Sequence, residues 1–272
     1  MSFHTHVPPP PLRPFVASAH GYRVPANPTG LHRGLPSRHL TLVVDLNAPL
    51  RVAGLGGSVA AHAVVGGLHI SPALIDASLP QEGLQYALTP LGAGALLAVP
   101  AAELGGYTVA LADLVGARVD QLVDELRGTN DWPARFRLLD AALLSRLGAA
   151  TAEVSADVAE AWRVIFESDG RVRVTAVAAH LGCSRRHLSE RFRSATGLTP
   201  KQAARIARFE AARRLLVVSQ QPALVDIATR CGYADQSHLA REWRALAGCS
   251  IGVWLLEEFP FVQDSAPARS AE

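Results

Sequence analysis

Cysteine is nearly missing from this 272-residue chain: there are three, none before residue 183, and no Cys-x-x-Cys pair. That excludes a disulfide framework and a cysteine zinc site, and it fits a reducing cytoplasm. Aromatic residues reach only 6% and charged residues 18%, but hydrophobic residues reach 49%, so the chain has material for buried cores and is not a disordered polyelectrolyte. No apolar run approaches about 18 residues, so no membrane span is expected. The opening MSFHTHVPPP lacks a basic segment followed by an apolar core, so it does not read as a secretory signal. Gly-x-Ser-x-Gly, Walker A and His-Glu-x-x-His are all missing, and Gly54-x-Gly56-Gly57 lacks the dinucleotide-binding spacing. His32, His39, His62 and His69 offer no close His-x-His pair; the only one is His4-Thr5-His6, near the prolines. Three or four ligands must converge on a metal. The chain therefore reads as a non-enzyme with no metal and no cofactor.

What is present is a segregation of charge. Residues 171–250 carry 14 basic and 5 acidic side chains, a formal +9, and the remainder carries −7. A basic, arginine-rich third is the electrostatic footprint of a polyanion binder. Arginine also grips phosphates and guanine edges with two parallel hydrogen bonds.

The texture changes along the chain. Residues 1–19 read as an unstructured proline-rich arm, with Pro8 to Pro11 and Pro14 at its centre. Residues 20–107 alternate short apolar runs with Gly and Pro. Leu40 to Leu46, Val59 to Val65 and Leu84 to Leu88 are strand candidates of a small β-sandwich or barrel. Residues 108–150 switch to a helical period, first from Leu111 to Leu126 with Gly128 as a stop, then from Phe136 to Leu147. These helices are expected to support the β-part, join two domains, or form a dimer seam. A small, polar linker is expected at 149–156, a helical domain at 155–260 and a disordered tail at 261–272. The expected class is α+β, with an N-terminal β-domain, linking helices and an all-α C-terminal domain.

The helical domain contains a repeat. Val177 to Gly182 corresponds to Ile227 to Gly232 at an offset of 50, and His187 to Arg193 corresponds to His238 to Arg244 at 51. Each copy has a small alanine (Ala178, Ala228), a turn glycine (Gly182, Gly232) and an N-capping residue (Ser184, Asp235). A core-facing pair follows: Leu188 with Phe192, and Leu239 with Trp243. That is the layout of a helix-turn-helix. The opposite face is left with Arg185, Arg186, Ser189, Glu190 and Arg193 in one copy, and with Gln236, Ser237, Ala240, Arg241 and Arg244 in the other. These are side chains that read base edges and grip phosphates. Between the copies, Thr199-Pro200 should start a helix over about 200–218. It has an apolar stripe from Ala203 to Leu216 and a basic face that includes Lys201 and Arg205.

These motifs, from Ala178-x3-Gly182-x-Ser184 through Thr199-Pro200 and Ile227-Ala228-x3-Gly232-Tyr233 to Trp243-x4-Gly248, resemble the DNA-binding domain of the AraC/XylS family of transcriptional regulators. The resemblance implies a seven-helix domain with two helix-turn-helix units in a promoter-binding regulator, most often an activator. It puts base reading on Arg186, Ser189 and Glu190, and on Gln236, Ser237, Ala240 and Arg241. Phosphate contacts are expected from Arg185, Arg193, Lys201, Arg205 and Arg244. Two positions depart from the family pattern. Glu190 is acidic where relatives often carry a basic or neutral residue. Ile251 stands where a proline usually starts the last helix. The relatives that repair DNA methylation use an N-terminal cysteine cluster, which this sequence lacks.

The segments His32 to Thr41 and Gly66 to His69 resemble the sensor half of some such regulators, which implies a cupin-like β-fold. Arg33, Arg38 and His39 are candidates for binding an acidic effector. The expected partners are double-stranded promoter DNA, RNA polymerase, a small-molecule effector and a second copy of the chain, without a membrane. A β-domain enzyme fused to a DNA-targeting module, or an architectural DNA binder, remains open as an alternative.

Overall fold

The computed structural model describes residues 1–54, 56–147, 154–218 and 222–262, with the side chains of 258–262 left aside. Most of the expected linker at 149–156, and the expected tail beyond residue 262, lie outside the described residues.

The N-terminal domain is built from two antiparallel sheets. The larger uses β1 (Ser2–His6), β2 (Val16–Val24), β4 (Leu40–Asp45), β7 (Ala63–Gly66), β9 (Gln81–Leu88) and β10 (Thr108–Ala110) in the order β1-β2-β9-β4-β7-β10. The smaller uses β3 (Leu31–Gly34), β5 (Leu50–Gly54), β6 (Gly57–Ala61) and β8 (Ala73–Asp76) in the order β3-β8-β5-β6. Strand alternation divides the apolar residues between two cores. Leu40, Leu42 and Val44 on β4 join Leu84, Tyr86 and Leu88 on β9 in the main core. Val43 and Val64 leave the opposite face and meet Leu50, Val52 and Ala73 between the sheets.

Four expectations for this half are corrected. The proline-rich arm is part of the sheet: residues 2–6 contain no proline, so β1 keeps every backbone donor and pairs from Ser2↔Arg23 to His6↔Ala19. The single strand expected at Val59 to Val65 is two strands of different sheets, parted at His62. A helix not foreseen, α1 (Pro90–Leu97), starts where Thr89 accepts the Gly92 amide hydrogen ahead of Pro90. The helix expected from Leu111 breaks into α2 (Leu111–Val115) and α3 (Arg118–Arg127) at Gly116, whose φ of +89° no helix accommodates.

Together with α4 (Trp132–Leu144), α3 supports the β-domain. Val119, Val123, Leu126, Phe136, Leu139 and Leu143 are buried in the main core, and α3 turns Asp120, Gln121, Asp124 and Glu125 to solvent. α4 also fixes β1. Trp132 stacks on His4, Phe136 stacks on His6, and Asp140 bonds both His6 (2.7 Å) and the Tyr86 hydroxyl (2.9 Å).

The C-terminal part folds as seven helices among the described residues, from α5 to α11. They are α5 (Ala156–Glu167), α6 (Val174–His180), α7 (Arg185–Thr196), α8 (Pro200–Leu216), α9 (Leu224–Arg230), α10 (Gln236–Ala247) and α11 (Ile251–Val262). Thr199 and Gln202 form a full capping box at the start of α8, ahead of Pro200. Ile251 does not disturb the start of α11, because Ser250 takes over: its hydroxyl accepts from Val253 N and its carbonyl from Trp254 N.

The two domains meet over a buried ion pair. Glu210, on α8, is 6% exposed and accepts from the Arg38 backbone N–H (2.8 Å) and from Arg38 Nε (2.7 Å). The Arg38 guanidinium lies over the Phe166 ring. A cleft of about 480 Å³ opens beside the pair, lined by Arg38, His39, Phe166, Asp169, Glu210, Arg213 and Arg214. Burial, only partly opposed by the Glu210 charge, pushes the His39 imidazole down to about 4. It is therefore predominantly neutral in the folded chain at neutral pH.

This has a consequence for stability. The unfolded chain protonates His39 near 6.5 and the folded chain near 4, so the contribution is complete above 6.5 and is lost as the pH falls toward 4, up to about 3 kcal/mol. Urea unfolding of the full chain at pH 7 and pH 4.5 should show a larger stability loss than the same comparison on His39→Gln. Equal losses would show that another group carries the effect.

Candidate nucleic-acid interface

Both helix-turn-helix units close with the same backbone device. In the first, Gly182 takes φ +65° and Cys183 N–H reaches back to Ala178 O (3.0 Å); in the second, Gly232 takes φ +75° and Tyr233 N–H reaches Ala228 O (2.9 Å). The glycines supply the left-handed turn that ends α6 and α9. The offset changes from 50 to 51 at Ala234, whose N–H donates to His238 Nδ1. The next helices then start on their expected caps, Ser184 accepting from His187 N (3.1 Å) and Asp235 from His238 N (2.6 Å).

The inner faces anchor these helices as the repeat requires. Ala178, Leu188 and Phe192 are buried in one unit, and Ala228, Leu239 and Trp243 in the other. Phe192 stacks on Trp162, and Trp243 packs on Phe209 and Trp254. With that side fixed, α7 and α10 can turn only their opposite faces outward. Arg185, Arg186, Glu190 and Arg193 are exposed on α7, and Ser189 is half-buried. Gln236, Ser237, Arg241 and Arg244 are exposed on α10, and Ala240 is half-buried. The structure therefore gathers the expected base-reading residues on two solvent-facing helices.

Glu190 finds a partner within its own helix: Arg186 Nε donates to its Oε1 at 2.8 Å, one turn apart. Both side chains are largely exposed, so the pair costs little to exchange for another partner.

Arg205 departs from its expected phosphate role. Its Nε donates to Glu242 Oε2 at 2.7 Å, with both side chains about three-quarters covered, so it ties α8 to α10. Its neighbours on α8 are engaged in the same way: Arg208 donates to Gly170 O (2.9 Å) and Arg214 to Asp169 (2.6 Å). The basic face of α8 is thus mostly a set of staples. Its first residue, Lys201, is exposed. The acceptors Glu242, Asp169 and Gly170 were not foreseen, because a sequence scan for basic residues does not show which carboxylates fold against them.

The effector candidates separate. Arg38 and His39 line the interdomain cleft, whereas Arg33 donates to Glu257 on α11 at 3.1 Å and does not line it. Arg213, expected only on the basic face of α8 and not among the effector candidates, also lines the cleft; burial lowers its pKa, and the Glu210 charge opposes that shift. Among the described residues no group of three His, Cys, Asp or Glu is arranged to hold a metal ion, and no helix is long and apolar enough to cross a membrane.

Residues 177–256 match the family described as "Helix-turn-helix domain". No curated protein matches the chain. Among solved structures, ToxT from Vibrio cholerae O395 is similar over 94% of this chain and 98% of its own, at 11% identity and a TM-score of 0.53. Wild-type ToxT from Vibrio cholerae strain SCE256, solved with an unsaturated fatty acid bound, is similar over 87% of this chain and 94% of its own, at 10% identity and a TM-score of 0.53. Residues 177–256 therefore match a helix-turn-helix domain, and the chain as a whole has the two-domain fold seen in ToxT, an N-terminal β-domain joined to a helical C-terminal part.

Proposed function

We propose that this chain is a sequence-specific DNA-binding transcriptional regulator that lays α7 and α10 in two successive major grooves of promoter DNA. The observation that carries this reading is the repeated unit: two recognition helices, each anchored by a buried aromatic and each presenting exposed arginines. Two half-sites on one side of a duplex lie about 34 Å apart. Arg186 and Arg241 are suited to guanine, Gln236 to adenine, Glu190 to the cytosine amino group, and Ala240 to a thymine methyl. Ser189 and Ser237 donate to or accept from either base of a pair. Arg185, Arg193, Lys201 and Arg244 neutralise phosphates, and Arg205 acts instead by holding α10 in place.

The interdomain cleft is the proposed effector site. Its arginines outnumber its carboxylates, since Arg38, Arg213 and Arg214 face Glu210 and Asp169. An acidic small molecule would supply Arg213 with a counter-charge and compete with Glu210 for Arg38. Arg33 lies outside that site.

The test is fluorescence anisotropy of the full chain on the DNA upstream of its own gene and on a scrambled duplex, each at two salt concentrations. A preference of about a thousandfold for the upstream DNA is expected of an operator-specific regulator. Steeply salt-dependent binding of equal strength to a broad set of duplexes would mean an architectural binder instead. On the preferred duplex, Arg241→Ala should cost about 1–3 kcal/mol and relax selectivity at one or two base pairs, whereas Arg244→Ala should weaken all duplexes alike and flatten the salt slope by about one. Equal losses on specific and random DNA for both variants would overturn the division between readers and phosphate contacts.

A further inference from the structure

We propose that the N-terminal domain sets the spacing between the two DNA-reading helices, by seating the equivalent C-terminal ends of α7 and α10 on two separate parts of its β-structure. The inference rests on the DNA-reading proposal above and adds positioning residues that do not touch DNA.

Gly197 and Gly248 hold the same place in the repeat, 51 residues apart. Each ends a recognition helix in the left-handed conformation, with φ +78° and +71°, and each N–H closes on the arginine four residues back, Arg193 O (2.8 Å) and Arg244 O (2.9 Å). That much is ordinary helix capping. What is not ordinary is that each glycine also abuts the N-terminal domain with almost no space for a side chain. A Cβ built on Gly197 would lie 3.3 Å from the Cα and O of Ala102 and 3.4 Å from the Cα of Gly105. A Cβ built on Gly248 would lie 2.8 Å from Pro72 Cγ and 3.8 Å from the Arg33 guanidinium.

The two seats belong to different sheets. The 102–105 turn leads into β10 and is tied to the β7 edge by Gly106 N–H to Leu68 O and Gly67 N–H to Tyr107 O (both 2.9 Å). Pro72 leads into β8, which pairs with the strand that bears Arg33 (Arg33↔Leu74). Arg33 then reaches past Gly248 to Glu257 on α11, both side chains being largely covered. The distance between the large-sheet seat and the small-sheet seat is therefore carried across to the recognition helices. One base pair corresponds to about 3.4 Å of rise and about 34° of rotation, so small changes in this span matter.

The second unit is the one that needs the seat. The core of the first unit runs on into that of the N-terminal domain, with Phe192 and Ala203 in the same cluster as Leu40 and Leu96. The second unit has a core of its own, onto which the N-terminal domain contributes only the half-buried Leu35 and Ile70.

The experiment selects duplexes from a random pool with the full chain, with Pro72→Ala/Arg33→Ala, and with Glu257→Ala, which removes one link from the other side of the joint. The preferred duplex is then bound, by anisotropy, with and without one base pair inserted between its half-sites. The parent should enrich two half-motifs at one spacing, and the insertion should weaken it about tenfold, the loss a mismatched base pair causes. The variants should enrich the same half-motifs over several spacings and lose less than about threefold on the insertion. Variants that keep one spacing and the parent's tenfold loss would overturn the proposal and leave α8 alone as the ruler. A parent that enriches no motif would overturn the DNA-reading proposal itself, and this one with it.

Discussion

Helix α8 is the member on which both halves of the helical domain depend, and one buried carboxylate in it is where the two domains are joined. Ala203, Ile206 and Ala207 complete the core of the first unit, while Phe209, Ala212 and Leu216 complete that of the second. A single rigid helix thus serves two cores, and its start is fixed by a capping box rather than left to fray. Glu210 stands next to Phe209, within the second apolar set. An acidic side chain that deep is costly unless it is paired and hydrogen-bonded, and Arg38 supplies both a backbone and a guanidinium donor. Removing either partner would leave the other charge covered and uncompensated.

The same economy explains the fate of the positive charge. Part of the basic excess of residues 171–250 is already paired within the protein. Arg205, Arg208 and Arg214 are committed to Glu242, Gly170 and Asp169, and Arg191 to Asp157. The exposed cations include Arg185, Arg186, Arg193, Lys201, Arg241 and Arg244 on α7, α10 and the first turn of α8, and also Arg171, Arg173, Arg214 and Arg230 elsewhere. A charge count therefore finds the basic helical part but does not show which of its cations are already paired within the protein.

The parts of the structure that were legible in the sequence are those governed by local rules. Gly182 and Gly232, Ser184 and Asp235, Thr199-Pro200 and the Leu/aromatic pairs each act within a few residues, and the repeat displays them twice. The illegible parts are non-local. β1 is a strand because α4 supplies Trp132, Phe136 and Asp140 to hold it, and nothing near residue 2 announces that. α1 carried the same Thr-Pro start as α8 and was still passed over, because its Gly92 and Gly94 resemble the punctuation of the strands around it. Arg33, Arg38 and His39 read as candidates for an acidic effector; the carboxylates that Arg33 and Arg38 meet, Glu257 and Glu210, lie more than 170 residues away in sequence.

The two units are joined to the N-terminal domain by contacts of different kinds, and this decides which of them can move. The first unit shares a continuous apolar core with the β-domain, so separating the two would expose buried side chains, at about 25 cal/mol for each Å² uncovered. The second unit keeps its own core and meets the β-domain through Arg33 with Glu257, the edge of Pro72 against Gly248, and two half-buried aliphatic side chains. Parting that joint would uncover less apolar surface, but the Arg33–Glu257 pair is largely covered and would have to regain its water. The first helix-turn-helix unit is thus tied to the N-terminal domain by a shared apolar core, and the second by a largely covered ion pair and the edge contact of Pro72.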